Sequence, residues 1–274
     1  MRAPRLDAVG QSVLTCLSVH DVAASGFGAE ADAYERSRPS YPPDAVGWIV
    51  EALGVADGGR VCDLAAGTGK FTRLLAAAAP EVAVVAVEPV EGMRHYLTAS
   101  MPDVPTVAGT AEAMPFADAS FDGVVAAQAF HWFDATAALA DLHRVLRPGG
   151  RLALVWNARD RTVPWVERVW SIIDRVEKRA PWRKHDEWHE SAFVDTPWFG
   201  PLHEATFHHE QELTPDELVD RIRSVSHVAV LPPDRQAAVL DEVRAVLADD
   251  PAIVSDRGTV ALPYRVDAYW AERN

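Results

Sequence analysis

The segment Arg60-Val-Cys-Asp-Leu-Ala-Ala-Gly-Thr-Gly-Lys-Phe-Thr72 constrains this chain more than any other. Val61 to Leu64 reads as a buried strand and Gly67 and Gly69 as a turn; from Lys70, through Leu74 and Leu75, runs a helix that must stop before Pro80. Glycines at such a turn accept backbone conformations that a Cβ opposes, and they let a ligand approach the main chain. The N–H groups that open the following helix then face an anion. This order predicts a nucleotide-type cofactor on the turn.

Spacing narrows the cofactor. The dinucleotide fingerprint needs Gly or Ala at position 72, which is Thr72. The phosphate-binding loop fails twice, at Leu64 and at Phe71. What remains is an acid ending the first strand, Asp63, and a second acid, Glu88, ending the next apolar run. A carboxylate about 20 residues after the glycine turn is placed to accept both ribose hydroxyls.

The rest of the chain supplies an α/β frame. Strands are expected at Val82 to Val87, Val104 to Ala108, Phe121 to Ala127 and Arg151 to Trp156, alternating with helices near Tyr41 to Leu53, Val90 to Ser100 and Ala135 to Arg147. Continuously apolar strands suit a parallel sheet covered on both faces. Strand alternating with helix predicts a doubly wound, mostly parallel, Rossmann-like sheet. Later segments read as a strand near Leu202 to Glu210, helices from Pro215 to Ser224 and Pro233 to Leu247, and a closing strand within Gly258 to Tyr269. Residues 158–200 hold Trp165, Trp170, Trp182, Trp188 and Trp198 of the chain's nine tryptophans, which suits a helical cap over an apolar pocket or rings that fasten an insertion to the core.

Four regions follow: a loose extension at 1–25, a cofactor-binding core at 26–157, a tryptophan-rich cap at 158–200 and the remainder of the domain at 201–274. The length of 274 residues, 49% hydrophobic, buries one core or a core with a cap. No run of about 18 apolar residues is present, so no membrane span is expected. Two cysteines, Cys16 and Cys62, give no disulfide framework, and a reducing cytoplasm is expected. A net charge of −14 opposes a nucleic-acid partner, whose phosphates call for Lys and Arg. A small-molecule acceptor and a monomer or homodimer are expected.

Metal sites are not expected. His185-Asp-Glu-Trp-His189 breaks the H-E-x-x-H order at Asp186. His208 and His209 on a strand point to opposite faces.

Asp63-Leu-Ala-Ala-Gly-Thr-Gly69 resembles the first motif of class I S-adenosylmethionine-dependent methyltransferases, and Val87-Glu88-Pro89 resembles their second. Gly109 to Phe116, Phe121 to Trp132 and His143 to Arg151 continue the pattern in order. Together these motifs resemble the ubiquinone/menaquinone-biosynthesis branch, and Phe27 onward with Tyr34 to Pro42 is similar to relatives of trans-aconitate methyltransferase. The resemblance implies a seven-stranded sheet and S-adenosylmethionine as cofactor, leaving S-adenosylhomocysteine as product. It implies cofactor contacts at Asp63, Ala65, Gly67, Thr68, Gly69, Glu88, Pro89 and Met93. Thr110, Ala111 and Glu112 are implied beside adenine; Thr110 stands where the family usually has Asp, which weakens the contact to the adenine amine unless Glu112 replaces it. Gln128 is implied beside the methionine portion, and Tyr34 and Arg38 over its carboxylate.

Methyl transfer from a sulfonium requires alignment and exclusion of water more than acid or base. The trans-aconitate-like resemblance favours O-methylation of a carboxylate, which arginines such as Arg159 or Arg161 would orient. A phenol or other hydroxyl acceptor is the competing case, with His131 as base. His131 is otherwise a wall of the pocket, as Trp132 is. A non-catalytic cofactor-binding accessory protein is the third reading.

Overall fold

The computed structural model describes residues 35, 38–177, 188–194 and 196–274. Its centre is one seven-stranded sheet in the order β3-β2-β1-β4-β5-β7-β6. The strands are β1 (Arg60–Leu64), β2 (Ala83–Val87), β3 (Thr106–Val107), β4 (Phe121–Ala127), β5 (Leu146–Arg159), β6 (His203–Leu213) and β7 (Val260–Glu272). From β3 to β5 all pairings are parallel, and β7 runs antiparallel to both β5 and β6. Order reverses beside β1, because the chain leaves it toward β2 and β3 on one side and returns to β4 and β5 on the other. A crevice opens at the carboxyl ends of strands at such a reversal.

Helices α1 (Pro43–Leu53), α2 (Lys70–Ala78), α3 (Glu91–Ser100) and α4 (Ala135–Val145) flank the sheet. Each presents apolar residues at helical spacing: Val46, Ile49 and Leu53 on α1 and Leu139, Leu142 and Val145 on α4 are buried. The expected helix to Arg147 stops instead at Val145, since Leu146 already pairs with Phe121 as strand. Pro148, Gly149 and Gly150 therefore lie within β5, where the pairing with β4 shifts register between Phe121 and Gly123.

A second apolar cluster stands beyond the sheet. It joins α5 (Pro164–Glu177), α7 (Pro215–Arg223), α8 (Ser226–Ala229) and α9 (Pro233–Asp249) to the first residues of β7. Val166, Val169, Trp170 and Ile173 of α5 meet Leu218 and Ile222 of α7 and Leu240 and Val243 of α9. The entry to α7 is fixed by a capping box: Glu217 N–H donates to Thr214 Oγ1 (3.2 Å), and Thr214 N–H donates to Glu217 Oε2 (2.7 Å). Phe193 of α6 (Trp188–Val194), Phe199 and Trp198 pack on the sheet's own core beside Phe130. The described part of 158–200 thus divides between two clusters, because apolar spacing marks a buried face without naming its partner. Trp182 lies outside the described residues.

Candidate active site

The glycine turn and the end of β2 are tied by one side chain. Glu88 Oε2 accepts from Gly67 N–H at 2.8 Å, and its Oε1 accepts from Val90 N–H at 2.8 Å. Glu88 is buried, and burial raises its pKa, with the two N–H groups and Arg94 acting against that rise. Gly67 has φ 59°, and a Cβ there would meet no atom within 4 Å, so this face of the turn is open to a ligand. At Gly69 (φ 84°) a Cβ would stand 2.9 Å from Leu97 Cγ, so that glycine lets α2 close on α3.

Two non-glycine residues carry left-handed backbone at the same edge. Ala65 (φ 55°) follows β1 and Gln128 (φ 60°) follows β4. Such strain persists where the surrounding structure enforces it, and it gathers at ligand sites. Gln128 N–H donates to Val155 O (2.8 Å), and its side-chain Nε2 lies 3.5 Å from Asn157 O.

Asp63 lies beneath the turn with no exposed surface. Thr72 Oγ1 donates to its Oδ2 at 2.6 Å, while Oδ1 has no hydrogen-bond partner. Burial pushes this carboxyl up to about 7, offset in part by Thr72 and reinforced by the nearby Glu88. A buried acceptor with an unengaged lone pair calls for a donor.

Glu35 and Arg38, ahead of α1, lie beside the turn. Glu35 accepts from Thr68 Oγ1 (2.5 Å) and pairs with Arg73 (3.3 Å) and Lys70 (3.6 Å). Lys70 Nζ also donates to the carbonyls of Glu35 (2.7 Å) and Arg38 (3.0 Å). Burial lowers the pKa of Lys70, and Glu35 opposes the shift. Arg38 Nη2 donates to Ser224 O at the end of α7 (3.0 Å). Tyr34 falls outside the described residues.

Of the residues expected beside adenine, Ala111 is buried in the core, and Thr110 bridges to Ala113. Glu112 Oε1 accepts from Asp134 N–H (2.9 Å), which ties it to the entry of α4. Met93 is buried on α3, and Pro89 is exposed.

His131 and Trp132, the residues expected at the acceptor, lie in a short 3-10 turn after β4, their rings 5.0 Å apart. Trp156 of β5 donates its indole N–H to His131 Nδ1 at 3.2 Å. Arg159 lies over the Trp170 ring at 5.1 Å. Arg161 turns elsewhere, with contacts to both oxygens of Glu167 (2.6 and 3.0 Å) and to Asp174 (2.9 Å), and these raise its pKa.

Asn157 was not singled out by the sequence, and His209 was weighed there only as a metal ligand. Asn157 Nδ2 donates to Ser40 O (3.0 Å), and its Oδ1 lies 2.9 Å from His209 Nε2. His209 stacks on Tyr264 at 5.3 Å, and burial lowers its pKa. A polar residue ending the apolar strand Leu152 to Trp156 at its carboxyl edge was the available signal. His208 is exposed, on the opposite face from His209, and no metal-ligating cluster occurs among the described residues. No helix among them is long and apolar enough to cross a membrane.

Known proteins share this arrangement. A methyltransferase-domain model matches residues 62–154. An uncharacterized methyltransferase of Mycobacterium tuberculosis is 40% identical over 251 residues, covering 92% of this chain and 96% of that one. A malonyl-[acyl-carrier protein] O-methyltransferase of Methylococcus capsulatus is 39% identical over 119 residues, covering 42% of this chain and 43% of its own. A candidate type II methyltransferase structure from Anaeromyxobacter dehalogenans matches with TM-score 0.58 at 26% identity, over 86% of this chain and 96% of that one. With a relative aligned over nearly its whole length and a family model on the glycine turn and its strands, the chain belongs to the class I S-adenosylmethionine-dependent methyltransferases.

Proposed function

We propose that this methyltransferase acts on a carboxylate oxygen of a small-molecule acceptor. The observation that carries the reading is the Trp156–His131 hydrogen bond. An indole N–H only donates, so Nδ1 of His131 is unprotonated, and the neutral ring carries its proton on Nε2. The lone pair that a general base would offer is thereby engaged. A carboxylate acceptor is ionised at neutral pH and needs no base. That the Methylococcus relative is an O-methyltransferase supports oxygen as the receiving atom.

The residues at the turn fit the adenosyl cofactor. Glu88 would hold the ribose beside the open face of Gly67, and the unpartnered Oδ1 of Asp63 would take a donor. Gln128 would line the methionine portion. Such a cofactor supplies a methyl group on a sulfonium. The protein aligns the acceptor and keeps water out, the latter through the apolar layer of α5, α7 and α9.

A screen with labelled S-adenosylmethionine against pools of carboxylic acids, phenols and amines tests this. Label is expected in the acid pool, as an ester that base releases. Label confined to phenols or amines overturns the carboxylate reading.

A further inference from the structure

Arg221 is the largest fully buried side chain among the described residues, 1% exposed. It shares the inward face of α7 with Leu218 and Ile222, at three- and four-residue spacing. Among the described residues, its Nε and Nη1 have no hydrogen-bond partner, and no ion pair reaches it. The acids of the same helix do not serve it: Asp220 pairs with Arg223, Glu217 is spent on the capping box, and Asp216, in the first turn, makes no contact with the guanidinium.

A guanidinium cannot escape burial by losing its proton, as a lysine or a carboxyl can. An unpaired buried charge is among the costliest features a fold can hold, and it persists where a counter-ion arrives from outside. The position of α7 says where. Its last turn touches the cofactor loop through a short relay: Lys70 donates to Arg38 O, Arg38 donates to Ser224 O, and Ser224 Oγ donates to Arg221 O at 2.8 Å. Arg159, on Trp170 of the same apolar cluster, adds a second cation to this boundary between cap and sheet.

We propose that Arg221 binds an anionic group of the methyl acceptor, so that the acceptor carries a carboxylate or phosphate besides the oxygen that is methylated. This rests on the reading of the site as an acceptor pocket under the helical cap. A guanidinium presents parallel N–H pairs along its Nε/Nη2 and Nη1/Nη2 edges, the geometry that matches a carboxylate or phosphate, and in Arg221 the unpartnered Nε and Nη1 belong one to each edge. The methionine carboxylate of the cofactor is the competing anion.

The test uses the full chain saturated with S-adenosylhomocysteine, with acetate, succinate, citrate and inorganic phosphate as probes and succinamide as the neutral control. Calorimetry is run on the wild type, Arg221→Met and Arg221→Lys. At least one anion is expected to bind the wild type, at least ~10-fold more weakly to Arg221→Met and at an intermediate level to Arg221→Lys, with succinamide inert. S-adenosylhomocysteine affinity should stay within about twofold in all three, since an interaction absent from that complex contributes nothing to it. Without ligand, Arg221→Met should melt higher than the wild type, because the unpaired charge is gone. Loss of S-adenosylhomocysteine binding in Arg221→Met would assign the arginine to the cofactor's carboxylate and overturn the proposal. No anion binding to the wild type, or equal binding to Arg221→Met, would overturn it as well. The methyl-transfer screen is independent: label in phenols with anion binding at Arg221 intact would sink only the carboxylate-methylation reading.

Discussion

Gly67 gives its N–H to Glu88 Oε2 across 2.8 Å, so the turn after β1 and the end of β2 are one unit before any ligand arrives. Val90 holds the other oxygen of the same carboxylate, which orients it for a diol.

Replacing Glu88 should therefore act on fold and binding together. Bonds from N–H groups to a charged acceptor contribute about 1.5–3 kcal/mol each, and Glu88→Ala removes two within the protein as well as those to a ribose. S-adenosylhomocysteine affinity should fall by at least ~10-fold, and the melting temperature should fall with it. Glu88→Gln, which keeps an acceptor oxygen, should recover part of both. Unchanged affinity by calorimetry in Glu88→Ala would remove Glu88 from the cofactor site.

Asp63 predicts a pH effect whose sign follows from its environment. Burial raises its carboxyl to about 7 in the folded protein, against an ordinary value near 4. Between those values the native state holds a proton that the unfolded state has lost, so stability falls as pH rises through about 4 to 7. The ionised form costs on the order of 4 kcal/mol above that window. Asp63→Asn should remove this slope. Chemical denaturation at pH 5 and pH 8 should show a smaller difference for Asp63→Asn than for the wild type, and equal differences would refute the assignment.

Much of this site was legible because it is local. The alternation of strand, glycine turn and helix places Asp63, Gly67 and Glu88 within a few residues of strand ends, and position 72 alone excludes the dinucleotide fingerprint. Arg38 was expected over the cofactor's carboxylate; its recorded partner is Ser224 O, 186 residues away, a pairing that no spacing rule carries. Arg221 left a faint trace, a charge at an apolar helical position between Leu218 and Val225, which reads as surface until the helix is docked. Tryptophan density pointed to 158–200, yet the second apolar cluster also draws on α7 and α9, which contain no tryptophan.

The two arginines after β5 should separate on substitution. Arg161 is exposed and held by Glu167 and Asp174, so Arg161→Met should leave the Michaelis constant for the acceptor unchanged and cost about 1 kcal/mol of stability or less. Arg159, set over Trp170 at the cap, is the better placed to meet an acceptor, and Arg159→Met should raise that constant. Steady-state kinetics on both variants decide it, and a larger effect from Arg161→Met would reverse the assignment.

His131 and Trp156 give the sharpest separation of acceptor chemistries. A positioned general base contributes about 10²–10⁴-fold, so a hydroxyl acceptor predicts a loss of that size in His131→Ala, with turnover rising through the histidine's titration. The indole N–H on Nδ1 predicts otherwise. With a carboxylate acceptor, His131→Ala should lower turnover less than tenfold through lost packing against Trp132 and should leave the shape of the pH profile from about 6.5 to 8.5 unchanged, because a carboxylic acid, titrating near a pKa of about 4, is ionised throughout. Trp156→Phe sharpens the comparison, since it keeps the ring and removes the donor. A hydroxyl-methylating enzyme would gain from a freed Nδ1, whereas a carboxylate-methylating one would show no increase. A turnover loss of 100-fold or more in His131→Ala, with S-adenosylhomocysteine binding intact and Trp156→Phe faster than the wild type, would defeat the carboxylate reading.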